Sequence, residues 1–149
     1  KHICYLNKTR KALNEELNKQ DKGVKVGWSK VPKDYKGYAQ DIELKIGMPL
    51  IAIINEKACG ILNNAEYKLV GINEPNVRVL DIDADAIIEK NIAHFYKYFT
   101  AGYAITTHKA QGATIEGKIC IHDARLMSKK MIYTASSRCK RLDDLYYGV

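Results

Sequence analysis

Two short stretches carry the residue types best suited to chemistry. The first is GYAITTHKAQGAT, residues 102–114. A strand-like run ends in Thr106 and Thr107, and His108, Lys109, Gln111, Gly112 and Thr114 follow. Hydroxyls, a lysine and free backbone amides at a strand-to-helix turn suit phosphate binding. Gly112 permits close backbone approach or a positive φ. The same residues also suit an ordinary polar connection in which His108 and Gln111 satisfy buried backbone groups. The second stretch is MIYTASSRCKR, residues 131–141. A helix ends there and delivers Arg138, Lys140 and Arg141. Cations at a helix C-terminus complement its dipole. Arg138, coming after two serines where the chain emerges, can also reach a phosphate on a neighbouring domain.

A third signal is a conflict of charge. Asn7 is placed to cap a helix over residues 8–19, and Lys8, Arg10 and Lys11 fall in its opening turns. The unpaired N–H groups of that turn are already positive and favour carboxylates. Either an anion such as a DNA phosphate binds there, or the long side chains swing into water.

These residues need elements to hold them. Residues 3–6 read as a short apolar strand, and Ala12, Leu13 and Leu17 as the buried stripe of the helix that follows. Residues 21–40 alternate lysines with Trp28, Tyr35 and Tyr38 among Gly and Pro, and read as a loop or a ragged β segment. That stretch can stack bases or be a plain surface loop. Short strands then follow at residues 42–46, 49–55, 67–72 and 77–82, with a turn at Asn63 and Asn64, which suggests a small barrel. Asp81, Asp83 and Asp85 alternate, and a solvated strand face running into a helix cap fits them better than a Mg2+ site. Tyr96, Tyr98 and Tyr103 read as half-buried strand residues. Residues 101–106, 118–122 and 145–147 read as strands and 128–136 as a helix. The texture is an α/β domain interrupted by a β insert.

The 149 residues carry 24 basic and 17 acidic side chains, a net charge of +7, which favours a polyanionic partner. An apolar content of 46% supports a core. No apolar run approaches a membrane span, so no membrane partner is expected. Cys4, Cys59, Cys120 and Cys139 form no C-x-x-C pair and have no histidine at metal-ligand spacing. They read as reduced thiols, mostly buried in strands, in a reducing intracellular compartment, and no metal site is expected. The start at Lys1, without methionine or a signal segment, suggests a piece of a longer protein.

The stretch at residues 102–114 resembles the fifth motif of RecD-like superfamily-one helicases, where Thr-x-His-Lys-Ser-Gln-Gly-x-Thr is typical. Ala110 stands where serine is usual. The stretch at residues 131–141 resembles the sixth motif, usually Tyr-Val-Ala-Leu-Ser-Arg. Tyr133, Ala135, Ser137 and Arg138 match it, while Thr134 and Ser136 make the turn more polar. Residues 46–70 resemble the small barrel inserted in these helicases, with Gly47-Met-Pro at its first strand and Asn63-Asn64 in place of an Asn-Gly turn. Residues 4–17 resemble the fourth motif at Asn7, Arg10 and Asn14.

The resemblance implies an α/β fold: a second RecA-like domain, residues 1–39 and 91–149, interrupted by a Src-homology-three-like barrel at residues 40–90. It implies that Thr106, Thr107, His108 and Lys109 lie along the phosphates of single-stranded DNA. Gln111, Gly112 and Thr114 would face the nucleotide, and Arg138 would touch the γ-phosphate as an arginine finger. Arg10 would be a further phosphate contact, grouped with the nucleic-acid-binding residues. The chain has no Gly-x-x-x-x-Gly-Lys-Thr loop (Walker A) and no acidic Walker B motif. ATP and Mg2+ are therefore expected only in the full-length protein, shared with its N-terminal RecA-like domain, and the isolated chain is expected to hold neither. The implied activity is an ATP-dependent DNA helicase with 5′-to-3′ travel. The alternatives are a stand-alone nucleic-acid-binding module without ATP coupling, and a degenerate helicase piece serving as an interaction platform.

Overall fold

The computed structural model describes residues 1–111, 115 and 117–148. In chain order the elements are β1 (His2–Cys4), α1 (Asn7–Gln20), β2 (Lys25–Ser29), β3 (Ile42–Lys45), β4 (Pro49–Ala52), β5 (Glu66–Asn73), β6 (Asn76–Asp81), β7 (Ala86–Asn91), β8 (Phe99–Ala101), β9 (Ala104–Thr106), α2 (Thr107–Ala110), β10 (Ile119–Ile121), α3 (Lys129–Ser136) and β11 (Leu145–Tyr147). The chain divides into two compact units, Lys1–Asn14 with Tyr103–Val149, and Glu15–Gly102.

The first unit is built on a parallel sheet in the order β11-β10-β1-β9. β1 lies inside it, with His2 opposite Ala104 on one side and Cys120 on the other. Its strands are short apolar runs: Ile3, Cys4, Ala104, Ile105, Ile119 and Ile121 are all buried. Near-continuous apolar strands are what a parallel sheet requires, because its two faces are both covered. Ala110 of α2 and Ala135 of α3 are buried as well. This is the α/β layer expected from the sequence.

The second unit is antiparallel. One sheet runs β7-β6-β5-β4-β8, and β2 pairs separately with β3. Leu50, Leu69, Val77 and Val79 fill its core with Tyr67, Phe95 and Phe99. Phe99 meets Tyr67 edge-on at 5.0 Å and lies tilted 5.3 Å from Phe95. Asn64 turns the chain at φ 72° and Gly47 at φ 87°. Asparagine and glycine tolerate that left-handed region best.

Several elements differ from the sequence reading. The stretch 101–106 is two strands, because β8 ends in the antiparallel sheet and β9 begins in the parallel one. Gly102 sits at the break, where a Cβ would come within 3.0 Å of the Leu50 carbonyl carbon. Of the two readings of residues 21–40, the ragged β segment is the one found: β2 pairs with β3 through a bulge between Lys25 and Gly27. The aspartates at 81–85 lead into no helix. They make the tight turn of the β6–β7 hairpin, with the Asp81 carboxylate accepting from the Asp83 and Ala84 N–H groups and Asp85 at φ 52°. The unit boundaries also fall elsewhere than 39/40 and 90/91, since β2 pairs with β3 and the 3₁₀ segment Ile92–Lys97 lends Phe95 to the antiparallel core. Tyr96, Tyr98 and Tyr103 are half-buried, but none lies in a strand. Tyr35 packs edge-on against Tyr96, so of the aromatic trio only Trp28 is well exposed, at 46%.

The face that α1 buries is polar. Arg10, Asn14 and Asn18 are buried, whereas Leu13 and Leu17 are half-buried and Ala12 is exposed. In the first unit, the Asn14 amide donates to Ala104 O at 2.9 Å and its oxygen accepts from Ala104 N–H at 2.8 Å. In the second, Asn18 makes the same two-way contact with the backbone of Glu43. A side-chain amide presents the same donor and acceptor as a peptide, so it can pair with a backbone as a strand would. At the helix C-terminus the ammonium of buried Lys45 donates to the carbonyls of Asn18 and Asp21, and it lies 3.6 Å from a Glu43 carboxylate oxygen.

Candidate nucleotide and nucleic-acid site

β9 delivers the first motif to the end of the parallel sheet. Thr106 caps α2, its hydroxyl accepting from Lys109 N–H at 3.3 Å. Thr107 opens α2, and its hydroxyl donates to Cys4 O at 3.3 Å. Both threonines are buried, at 7% and 6% exposure. Their hydroxyls therefore fix the strand-to-helix turn. His108 and Gln111 are exposed, and Lys109 is half-buried. Burial holds the Lys109 ammonium below its usual pKa, and the like charge of Arg10 adds to the effect. Gly112 and Thr114 lie outside the described residues.

α3 delivers the second motif. Ser128 caps it, accepting from Met131 N–H. Arg138 follows its last turn, half-buried, with Nε donating to Thr134 O at 3.1 Å. The two motifs are stitched together where Ile115 N–H donates to Arg138 O at 3.0 Å and Ile115 bridges Cys139 in parallel. A cavity of about 150 Å³ opens between α2 and α3, lined by Thr107, His108, Gln111, Lys130, Met131 and Thr134. The structure thus brings three of the sequence-derived residues to one cavity. Thr106, Lys109 and Arg138 are near it in sequence but are not among its lining residues.

Met131 and Thr134 belong to the second motif; Lys130 was not singled out in the sequence, yet a signal was there. The first turn of α3 carries Lys129 and Lys130 and no acidic residue. That is the same charge conflict that drew attention to residues 8–11.

At those residues the conflict resolves within the chain. The Asp123 carboxylate accepts from Leu6 N–H at 3.1 Å and from the Thr9 hydroxyl at 3.0 Å, so the anion at the start of α1 is a side chain. Asn7 is the first residue of the helix itself. Lys8 and Lys11 are exposed, as long side chains reaching water should be. Arg10, expected as a further phosphate contact, is fully buried in this chain. Its charge acts instead on Lys109 and on Cys4. Burial, with the Asp123 charge adding and Arg10 opposing, pushes the Cys4 thiol up to about 12.

The cysteines also depart from expectation. Cys4 is buried in β1, but Cys120 and Cys139 are half-buried and Cys59 is exposed. Two histidines lie beside Cys120, which the sequence spacing did not suggest: one ligand atom each from His2, Cys120 and His122 falls within a 4.8 Å spread.

The first unit thus presents a parallel sheet with a phosphate-suited turn at a strand end, inside a mixed α/β chain. Pif1 helicase from Bacteroides, in complex with ADP-AlF3 and single-stranded DNA, matches with a TM-score of 0.74 at 19% identity, over 99% of this chain and 40% of that one. Pif1 helicase from Candida albicans matches with a TM-score of 0.62 at 14% identity, over 98% of this chain and 44% of that one. In sequence, the RecBCD enzyme subunit RecD of Buchnera aphidicola subsp. Schizaphis graminum is 26% identical over 105 residues, which is 68% of this chain and 17% of that subunit. No family model matches the chain. The chain therefore spans less than half the length of each of these helicases. The solved structures are likenesses of fold, and the RecD subunit is a likeness of sequence over part of the chain. Among the described residues, no helix is long and apolar enough to cross a membrane.

Proposed function

We propose that this chain is the C-terminal part of an ATP-dependent DNA helicase of the RecD-like, superfamily-one class. The observation that carries the reading is the cavity in which Thr107, His108 and Gln111 meet Lys130 and Thr134. It brings the two motif regions together and lines one concavity with a cation, an imidazole and an amide, a donor set suited to phosphate oxygens. The Bacteroides relative captured with ADP-AlF3 and single-stranded DNA supports the same two ligands here.

On this reading the first unit is the second RecA-like domain and the second unit is its Src-homology-three-like insert. His108 and Lys109 contact the phosphates of single-stranded DNA. Thr106 and Thr107 hold the turn that aims them, because both hydroxyls already bond within the chain. Gln111, Gly112 and Thr114 face the nucleotide. ATP and Mg2+ bind in the full-length protein against its N-terminal RecA-like domain, which supplies the phosphate loop and the acidic motif that the present sequence lacks. Arg138 reaches the γ-phosphate across that cleft, and travel is 5′ to 3′.

Arg138 is where the reading is most exposed to test. An arginine finger contributes roughly three to five powers of ten to turnover. In the full-length protein, Arg138→Ala should nearly abolish DNA-stimulated ATP hydrolysis and leave single-strand affinity close to that of the parent. Arg138→Lys should rescue little, since lysine lacks the planar fork. Wild-type turnover in either variant, or loss of DNA binding in proportion to turnover, would return Arg138 to a helix-terminus role through its bond to Thr134 O.

A further inference from the structure

The parallel sheet gathers three metal-ligating side chains for which the helicase reading has no use. His2 on β1 stands in register with Cys120 on β10. His122 follows Cys120 by two residues, so both side chains leave the same face of an extended chain. The ladder continues past the end of β10, where His122 N–H donates to Ile3 O at 2.8 Å. Nδ1 of His2 then lies 2.8 Å from Nε2 of His122, and the rings are tilted with centroids 5.1 Å apart. All three residues are half-buried.

We propose that His2, Cys120 and His122 form a binding site for a Zn2+-type cation, with a fourth coordination position open to water or an outside ligand. Two imidazole nitrogens and one thiolate are a borderline-soft set, the kind that selects zinc over the hard cations Mg2+ and Ca2+. Bonds of about 2.0–2.3 Å in tetrahedral array put neighbouring ligand atoms about 3.3–3.6 Å apart. The histidine pair must open by roughly half an ångström and the widest pair close by roughly one, movements within reach of half-buried side chains. A plain histidine–histidine hydrogen bond would account for the close nitrogens, but it leaves the convergence of Cys120 on them without a role.

The surroundings favour a ligand set. Burial lowers the pKa of His2, with the His122 charge adding, and burial lowers that of His122 against the opposing pull of Asp123. Both imidazoles thus keep a lone pair available near neutral pH. Burial raises the Cys120 thiol, and a coordinated cation would displace its proton. Gly148 gives the His122 ring its seat, since a Cβ there would fall 2.3 Å from Nδ1. Asp123 is the nearest carboxylate in sequence, but its two oxygens already serve Leu6 and Thr9. The fourth position is therefore not supplied by Asp123.

The test uses chelator-stripped full-length protein titrated with Co2+ and then Zn2+. One equivalent of Co2+ should give the visible bands of a tetrahedral site together with a sulfur-to-cobalt charge-transfer band, and Zn2+ should displace both. The sulfur band separates this site from any Mg2+ site of the motor, which holds no thiolate. Cys120→Ser, nearly isosteric, should lose that band, and His122→Gln should weaken Zn2+ binding by at least about tenfold. Zn2+ should raise the Tm of the parent but not of His122→Gln. A parent spectrum without the sulfur band, a band that survives in Cys120→Ser, or an equal rise in Tm in both proteins would overturn the site. The parent spectrum decides by itself if a variant fails to fold.

Discussion

Asp123 adopts φ 61°, a conformation a short polar side chain tolerates, and from there its carboxylate reaches the start of α1. Two donors at that helix end, Leu6 N–H and the Thr9 hydroxyl, depend on it. Loss of such a cap costs about 1 kcal/mol. Asp123→Ala should therefore lower the urea unfolding free energy by about that much, and Asp123→Asn by less, because the amide oxygen still accepts. A change of under about 0.3 kcal/mol in the alanine variant would show that the helix end is satisfied some other way. The conflict that Asp123 resolves was legible in Lys8, Arg10 and Lys11. Its resolution was not, because Asp123 and Leu6 are 117 residues apart in sequence. His2 and His122 are hidden in the same way, 120 residues apart and joined only by strand register.

Helix α1 shows why a periodicity argument can place an element yet misread its face. Its extent was legible to within a residue at each end, from Asn7 and the polar run that follows. The search for a buried stripe looked for apolar residues and chose Ala12, Leu13 and Leu17, whereas amides and a guanidinium occupy the buried positions. Asn14 and Asn18 go inside because each satisfies a backbone N–H and C=O that would otherwise be lost to water. Lys45 answers the other end of the helix. Hydrogen bonds from a charged donor are worth about 1.5–3 kcal/mol, and buried carbonyls left without a donor add their own penalty. Lys45→Ala should destabilise the protein by about 2–3 kcal/mol in denaturant titrations, and Lys25→Ala, at an exposed position of β2, should cost much less. Equal effects of the two would mean that the Lys45 contacts are not those of a cap. The strand break at Gly102 was hidden for a different reason: residues 101–106 are apolar enough to read as one strand, and only the partners on either side reveal two.

At the scale of the whole molecule, the net charge of +7 gave the earliest pointer to a polyanion. The parallel sheet with its antiparallel companion was legible from the change in texture along the chain, but the unit boundaries were not, since only pairing defines them. If His108, Lys109 and Lys130 face phosphates, single-strand affinity should fall with salt, each contact contributing about −0.7 to the slope of log affinity against log salt. Lys109→Ala and Lys130→Ala should each flatten the slope by about that amount. Lys57→Ala, in the second unit, should leave it unchanged, and a slope that responds equally to all three would reduce the effect to bulk charge. The order β11-β10-β1-β9 carries one more consequence. β1 has no neighbour in its sheet until β9 and β10, on the order of a hundred residues later, have been made. At about 5–20 residues per second, a ribosome would carry Ile3 and Cys4 as an unpaired apolar edge for roughly 5–20 s. This half of the molecule can close its longest loop only after that, and such long-range pairing favours slow folding.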